Sequence, residues 1–505
     1  MLQLCLIAAF ASLFLHDGQS GGAGAGRVSA AGCAGFVLGV HAGLFLFVWV
    51  RAVLADWAIV KTGSLGSITG LDRTANFARV AGTLTTGYAI VSLGWLEAIG
   101  WLTGGLPLLD PVLALTPLLV LMLGCWWAMY PIERRLKEAV LFRQLEDGTP
   151  VYPIPSRLAT VWMHTRHQML LVLIPMLLLW GWGQLLHLLR SAAAGAWESG
   201  RGGVLAELGR WLACEGEGGV QGVMLGAQLL GVVGVLLLTP GIMRRLWQTV
   251  PLRDGPLAER MLTLAHTHRV RVAGILIWRT GGGVVNGAVL GVVGWSRYIL
   301  LTDALLERLA PRHVEGVMAH EVGHVRLWHI PWLIGATMAA SALSAWGVQI
   351  ALNAVQAVVG GSGWEELELL ASVCSLLVAL LVFGFVSRRF EWQADAFAAK
   401  HLSATPDEGA EQPQAAEARG TITEQGALGM AGALLSVASL NGIPRGSFGF
   451  RHGSIDSRVA RLRSLVGQRQ DRLPIDRTVR WIKGATGLAL VLVALAVAFG
   501  VVSIF

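Results

Sequence analysis

The chain has 505 residues, 54% hydrophobic against 14% charged, with a mean hydropathy of +0.60, more apolar sequence than soluble cores absorb, so the composition places it in a membrane. Disordered, collagen-like and coiled-coil proteins are excluded by the same numbers, because 64 Gly and 17 Pro follow no period and charge is sparse. The net charge of +7 is spread over the loops beside apolar runs, which speaks for membrane topology and against a nucleic-acid partner.

A helix needs roughly 20 mostly apolar residues to cross the hydrocarbon layer. The first run, MLQLCLIAAFASLFL (1–15), has no basic segment before it and fits a short first span better than a secretory signal. Uncharged runs follow at 33–50, 80–96 with a continuation past Glu97, 112–130, 168–189, 218–243, 331–358, 369–387 and 484–505. The expected fold is mainly α: a polytopic helix bundle of about 8–9 spans in a lipid bilayer. Cys5, Cys33, Cys125, Cys214 and Cys374 lack paired spacing, so neither a disulfide framework nor a cysteine zinc site is expected.

These runs divide the chain into a membrane region (1–243, about six spans), a polar segment (244–330), a hairpin of spans (331–387), a second polar segment (388–483) and a last span (484–505). With the amino terminus inside, the short inner loops hold Arg51, Lys61, Arg73, Arg79, Arg134, Arg135, Lys137, Arg143, Arg157 and Arg166. The outer loops hold Arg27, Arg190, Arg201 and Arg210. This excess puts both polar segments in the cytoplasm, and a bacterial inner membrane suits the pattern. Within the second, 403–426 is poor in large apolar residues and reads as a disordered surface insert.

Short strands with glycine-rich connectors are predicted at 269–278, 284–291 and 297–304. They form a small sheet beside the next helix. An edge strand there could pair with an extended peptide; the plainer alternative is that the strands only shield the helix.

That helix, between Pro311 and Pro331, carries HEVGH at 320–324. Residues four apart share a helical face, so His320 and His324 can reach one zinc ion while Glu321 stands at the open position as general base. With 13 His and 20 Glu in the chain, about 0.01 such matches arise by chance, a weak rival to a zinc-protease pattern. Glu391, in SRRFEWQADAFAAKHL, is the candidate third ligand, and Asp395 shares its face and can brace a ligand. Two spans between His324 and Glu391 return the chain to the side it left. Alternatively, Glu391 is a surface carboxylate paired with Arg388 or Lys400.

Four blocks in order, NGAVLGVVGWSRYILLTDALLERL, VEGVMAHEVGHVRLWH, RRFEWQADAFAAKHL and RHGSIDSRVARLRSL, resemble the membrane zinc metalloprotease family of the CAAX prenyl protease and HtpX type, from about Arg245 to Leu465. The resemblance implies one zinc per chain held by His320, His324 and Glu391, Glu321 as base, and Asp395 orienting the site. It also implies His452 stabilising the oxyanion, with Arg458 and Asn286 near the substrate. Gly453 replaces the usual proline, and Asn286–Gly287–Ala288 departs from the usual Asn-Ala-aromatic triplet, so no subfamily is assigned. The expected function is a zinc metalloendopeptidase acting on proteins or peptides at the cytoplasmic face, in membrane-protein quality control or CAAX-like processing. The alternative is a non-catalytic scaffold or transporter-like bundle that keeps HExxH for structure. Site-two-type proteolysis is a weaker option, because no span carries the required Asp-Gly.

Overall fold

The computed structural model describes the chain except residues 1, 20–28, 63–65, 107–108, 147–150, 201, 215, 360–364, 406–419 and 499–505. It contains two compact units, Met1–Trp247 and Gln248–Phe505.

Among the described residues the regular structure of the first unit is helical, and its helices pack through small residues, because close backbone approach replaces the hydrophobic drive that lipid removes. Ala52, Ala75, Ala78, Leu121 and Cys125 form one such buried cluster. Gly82 belongs to the same logic, since a Cβ there would come within 2.7 Å of Leu121.

Among the described residues, six helices are long and apolar enough to cross a membrane: Ala30–Thr62, Leu109–Ala139, Arg157–Glu198, Gly222–Leu246, His329–Val358 and Pro474–Ala496. They coincide with six of the expected runs. The runs at 1–15 and 80–96 fall mainly on the shorter or more polar helices Leu2–Gln19 and Gly66–Ser92. The run at 369–387 lies inside the helix Glu365–Ala404.

In the second unit, β1 (Thr249–Pro251) and α1 (Pro256–Thr267) precede β2 (Gly274–Trp278), β3 (Gly287–Leu290) and β4 (Tyr298–Thr302). The sheet order is β1-β2-β4-β3, with β2 and β4 parallel and both outer pairs antiparallel. The three predicted strands are present but shorter. β1 escaped notice because three residues give too short an alternation to read. Next come α2 (Asp303–Arg308), α3 (Pro311–Arg326), α4 (His329–Val359), α5 (Glu365–Ala404), α6 (Glu424–Leu440), α7 (Ile455–Ser464) and α8 (Pro474–Ala498).

The core of this unit joins Ile299 and Leu301 of β4, Val314, Met318 and Val322 of α3, Ala399 and Leu402 of α5, and Met430 of α6. Proline at the first turn and the helical spacing of those apolar residues start and seat α3. Both described ends of the predicted insert 403–426 are packed on this unit. Ser403 Oγ accepts from the Thr423 amide at 3.0 Å, Ile422 is buried, and Thr423 caps α6. The sequence between them, 406–419, lies outside the described residues.

Candidate metal centre

α3 and α5 pack face to face, and α5 runs from the apolar segment straight into the polar one, so one helix carries both a predicted span and Glu391. Gly323 permits this approach: a Cβ there would sit 3.1 Å from the Phe397 ring. The result is convergence. Nε2 of His320 and Nε2 of His324 lie 3.1 Å apart. Glu391 places Oε2 3.6 Å from the first and Oε1 3.6 Å from the second.

These separations fit a cation. Tetrahedral zinc with bonds of roughly 2.0–2.1 Å spaces its donors about 3.3 Å apart, and two imidazoles with a carboxylate form a familiar zinc donor set. Charge agrees with geometry. Three carboxylates, Glu321, Glu391 and Asp395, surround the centre, faced by the buried guanidinium of Arg458. Burial opposes a charge on His320, but the neighbouring carboxylates of Asp395 and Glu391 prevail and raise its imidazole to about 10. A divalent cation answers the same excess of negative charge. Burial pushes His324 well below its ordinary value, leaving a neutral ring with a lone pair.

Glu391 is buried and keeps its charge: burial works against it, but hydrogen bonds to His320 and His452, with the charge of Arg458, hold it well below the carboxylate range. The surface pairing considered from sequence does not form. Arg388 donates to the Phe450 carbonyl at 2.9 Å, and Lys400 reaches Asp476 at 2.8 Å.

Asp395 Oδ1 stands 3.0 Å from Nδ1 of His320, on the side away from Glu391, although the pair is not aligned as a full hydrogen bond. Arg458, expected near the substrate, is 6% exposed, with Nη1 3.3 Å from Glu391 Oε2 and a two-pronged grip on Asp395. Its position on α7, four residues after the Ser454 cap, aims it inward.

His452 Nδ1 lies 2.9 Å from Glu391 Oε1, with the side chain half exposed. It rides a tight turn closed by reciprocal hydrogen bonds between Gly449 and Gly453, and Gly453 has φ 74, a value open to glycine and hard for the expected proline. Glu321 faces β3, where Gly287 comes so close that a Cβ would lie 3.5 Å from its Cγ and 2.8 Å from Val317. Burial raises the Glu321 carboxyl, with His320 opposing. Asn286 is exposed immediately before β3; its backbone pairs with Thr302, its amide to Oγ1 and its carbonyl to the amide, both at 3.0 Å.

Three residues near the centre were missed from sequence: His329, Gln393 and Asp476. Nδ1 of His329 is 2.9 Å from Nδ1 of His324, and its Nε2 is 3.0 Å from Gln393 Oε1. Gln393 in turn donates to Asp476 Oδ1 at 2.7 Å. Gln393, two residues after Glu391, carried no separate signal. Asp476 lies far along the chain on α8. His329 falls in the quoted RLWH stretch, but helical spacing does not bring it back to His324; the turn at Trp328, with φ 57, does.

A histidine pair and a distant glutamate thus converge beside Glu321 in a group that could hold a metal ion. Residues 278–466 match Peptidase family M48. Over 107 residues the chain is 34% identical to a protein described as "Protease HtpX homolog" from Campylobacter hominis, a match that covers 20% of this chain and 36% of that relative. The chain thus spans about a third of the length of the curated relative it matches. A solved structure described as "Crystal Structure of S. mikatae Ste24p" aligns over 85% of this chain and 98% of its own, with 14% identity and a TM-score of 0.34. Residues 278–466 are thus similar to peptidase family M48, and part of the chain is similar to an HtpX-type protease.

Proposed function

We propose that the protein is a zinc metalloendopeptidase, with one zinc per chain, that cleaves protein or peptide substrates at the cytoplasmic face of its membrane. Quality control of membrane proteins or CAAX-like processing are the tasks that suit such a site. The observation that carries this reading is the convergence of His320, His324 and Glu391 next to Glu321.

Zinc, when bound, supplies Lewis acidity that lowers the pKa of water at its open position to about 7 and polarises a carbonyl. Glu321 takes up the proton released as water attacks and returns it to the departing amine. Its burial-raised carboxyl favours holding that proton between the two events. Because Nδ1 of His452 is engaged by Glu391, Nε2 is the nitrogen left to donate to a developing oxyanion.

β3 supports a place for the substrate. It pairs with β4 on one side only, and its glycine lies against the HExxH helix beside Glu321. An extended peptide adding to its open edge would run past the metal ligands, with Asn286 next to its backbone.

Purified full-length protein should hold one zinc and cleave unfolded polypeptides in a chelator-sensitive way. Glu321→Gln should abolish cleavage while zinc stays; alanine at His320, His324 or Glu391 should lose both. Full activity of Glu321→Gln would sink the peptidase reading.

A further inference from the structure

The two histidines of the centre are braced in different ways. His320 has a carboxylate, Asp395, at its outer nitrogen. His324 has another imidazole at 2.9 Å, and no carboxylate contacts its Nδ1 among the described residues. A ligand histidine is commonly fixed by a carboxylate or carbonyl accepting from the nitrogen that does not bind metal. A histidine can do this only as one particular tautomer.

Hydrogen bonding across the chain selects that tautomer. If Nε2 of His324 offers its lone pair to the metal, the proton of the neutral ring is on Nδ1 and must be donated to Nδ1 of His329. His329 then carries its own proton on Nε2, which faces the carbonyl oxygen of Gln393 at 3.0 Å. The amide nitrogen of Gln393 donates to Asp476 at 2.7 Å, and this contact fixes which end of the amide faces His329. Lys400 holds the other oxygen of Asp476 at 2.8 Å. Every link has one consistent donor.

The surroundings keep the chain rigid. His329 is 2% exposed and Gln393 6%. The His329 ring stacks on Phe390 with centroids 4.5 Å apart and planes 6° apart. The turn that brings it there costs something, since Trp328 adopts φ 57, a backbone region unfavourable for a bulky residue.

We propose that His329 is a positioning residue for the ligand His324, the second member of a chain His324–His329–Gln393–Asp476 that presents Nε2 of His324 to the metal and ties the centre to the two apolar helices α4 and α8. This inference rests on the zinc-site reading of His324, and its test does not depend on peptide cleavage. Zinc affinity is measured on full-length protein in detergent by competition with a chromogenic chelator, alongside the visible spectrum of the cobalt-substituted form.

His329→Phe keeps a ring on Phe390 but removes both nitrogens, so it separates packing from hydrogen bonding. It should weaken zinc binding about 10- to 100-fold and change the cobalt spectrum. His329→Asn, which retains an acceptor near the Nδ1 position, should recover much of the affinity. Gln393→Leu should fall between the two. Wild-type affinity and spectrum in His329→Phe would overturn the inference while leaving the peptidase reading standing. Should His329→Phe not fold, equal affinity in wild type and Gln393→Leu would overturn it. A wild type that binds zinc tightly but cleaves nothing would overturn the peptidase reading alone, and one that binds no zinc would overturn both.

Discussion

Arg458 grips Asp395 with both edges of its guanidinium, Nε to Oδ2 at 2.8 Å and Nη2 to Oδ1 at 2.6 Å, while Nη1 reaches Glu391. All three groups are buried, so the arginine neutralises two carboxylates that burial alone would not tolerate.

Arg458→Ala should therefore destabilise the second unit by about 3–5 kcal/mol, the usual result of stranding a buried charge, and should weaken zinc binding with it. Arg458→Lys keeps the charge but loses the fork and should lie between. Thermal unfolding in detergent with zinc titration measures both. If the alanine variant melts and binds zinc like the wild type, the brace is dispensable.

The turn that carries His452 is seated on α5. The Phe450 ring crosses Gly384, where a Cβ would approach it to 2.7 Å, and stacks on Phe383 at 6.3 Å. Phe450→Ala and Gly384→Leu should each free the turn and lower turnover by about 10²-fold, close to His452→Ala, with zinc retained. Hydrogen exchange at Gly449 and Gly453, whose amides pair with each other's carbonyls, should accelerate in both. Unchanged exchange would show that the seat does not hold the turn.

Away from the metal, His268 Nε2 meets His401 Nδ1 at 3.0 Å, and His401 Nε2 meets Glu315 at 3.0 Å. Burial, then repulsion from His401 and Arg326, lowers His268 from 6.5 to about 4. The unfolded chain therefore binds a proton that the folded chain refuses. The stability this group contributes is complete above pH 6.5 and falls as pH drops towards 4. Because the ring is half-buried, the loss is on the order of 1–2 kcal/mol. Unfolding of the zinc-free protein at pH 7 and pH 5 should show it, and His268→Asn should flatten the difference. An equal slope in that variant would assign the effect elsewhere.

Sidedness is open to a direct test. From the excess of basic residues in the short loops, 388–483 is expected in the cytoplasm and the loop near position 202 outside. A reporter active only outside the membrane should be silent at 410 and active at 202. The reverse pattern would invert the orientation.

Sequence by itself determined the membrane class, six of the apolar helices and the histidine pair of the candidate centre. Apolar run length registers the cost of exposing a backbone to lipid, and HExxH registers the helical repeat that puts two imidazoles on one face. Glu391 was reachable only as a candidate, since spacing cannot say whether two remote helices meet. Tertiary structure decided the remainder. It buried Arg458 against Glu391 and Asp395, packed Ile422 into the core, and drew His329, Gln393 and Asp476 into a single chain. These placements depend on where separate helices cross and on one strained turn at Trp328, and a hydrogen bond between distant segments leaves no periodic trace in either of them.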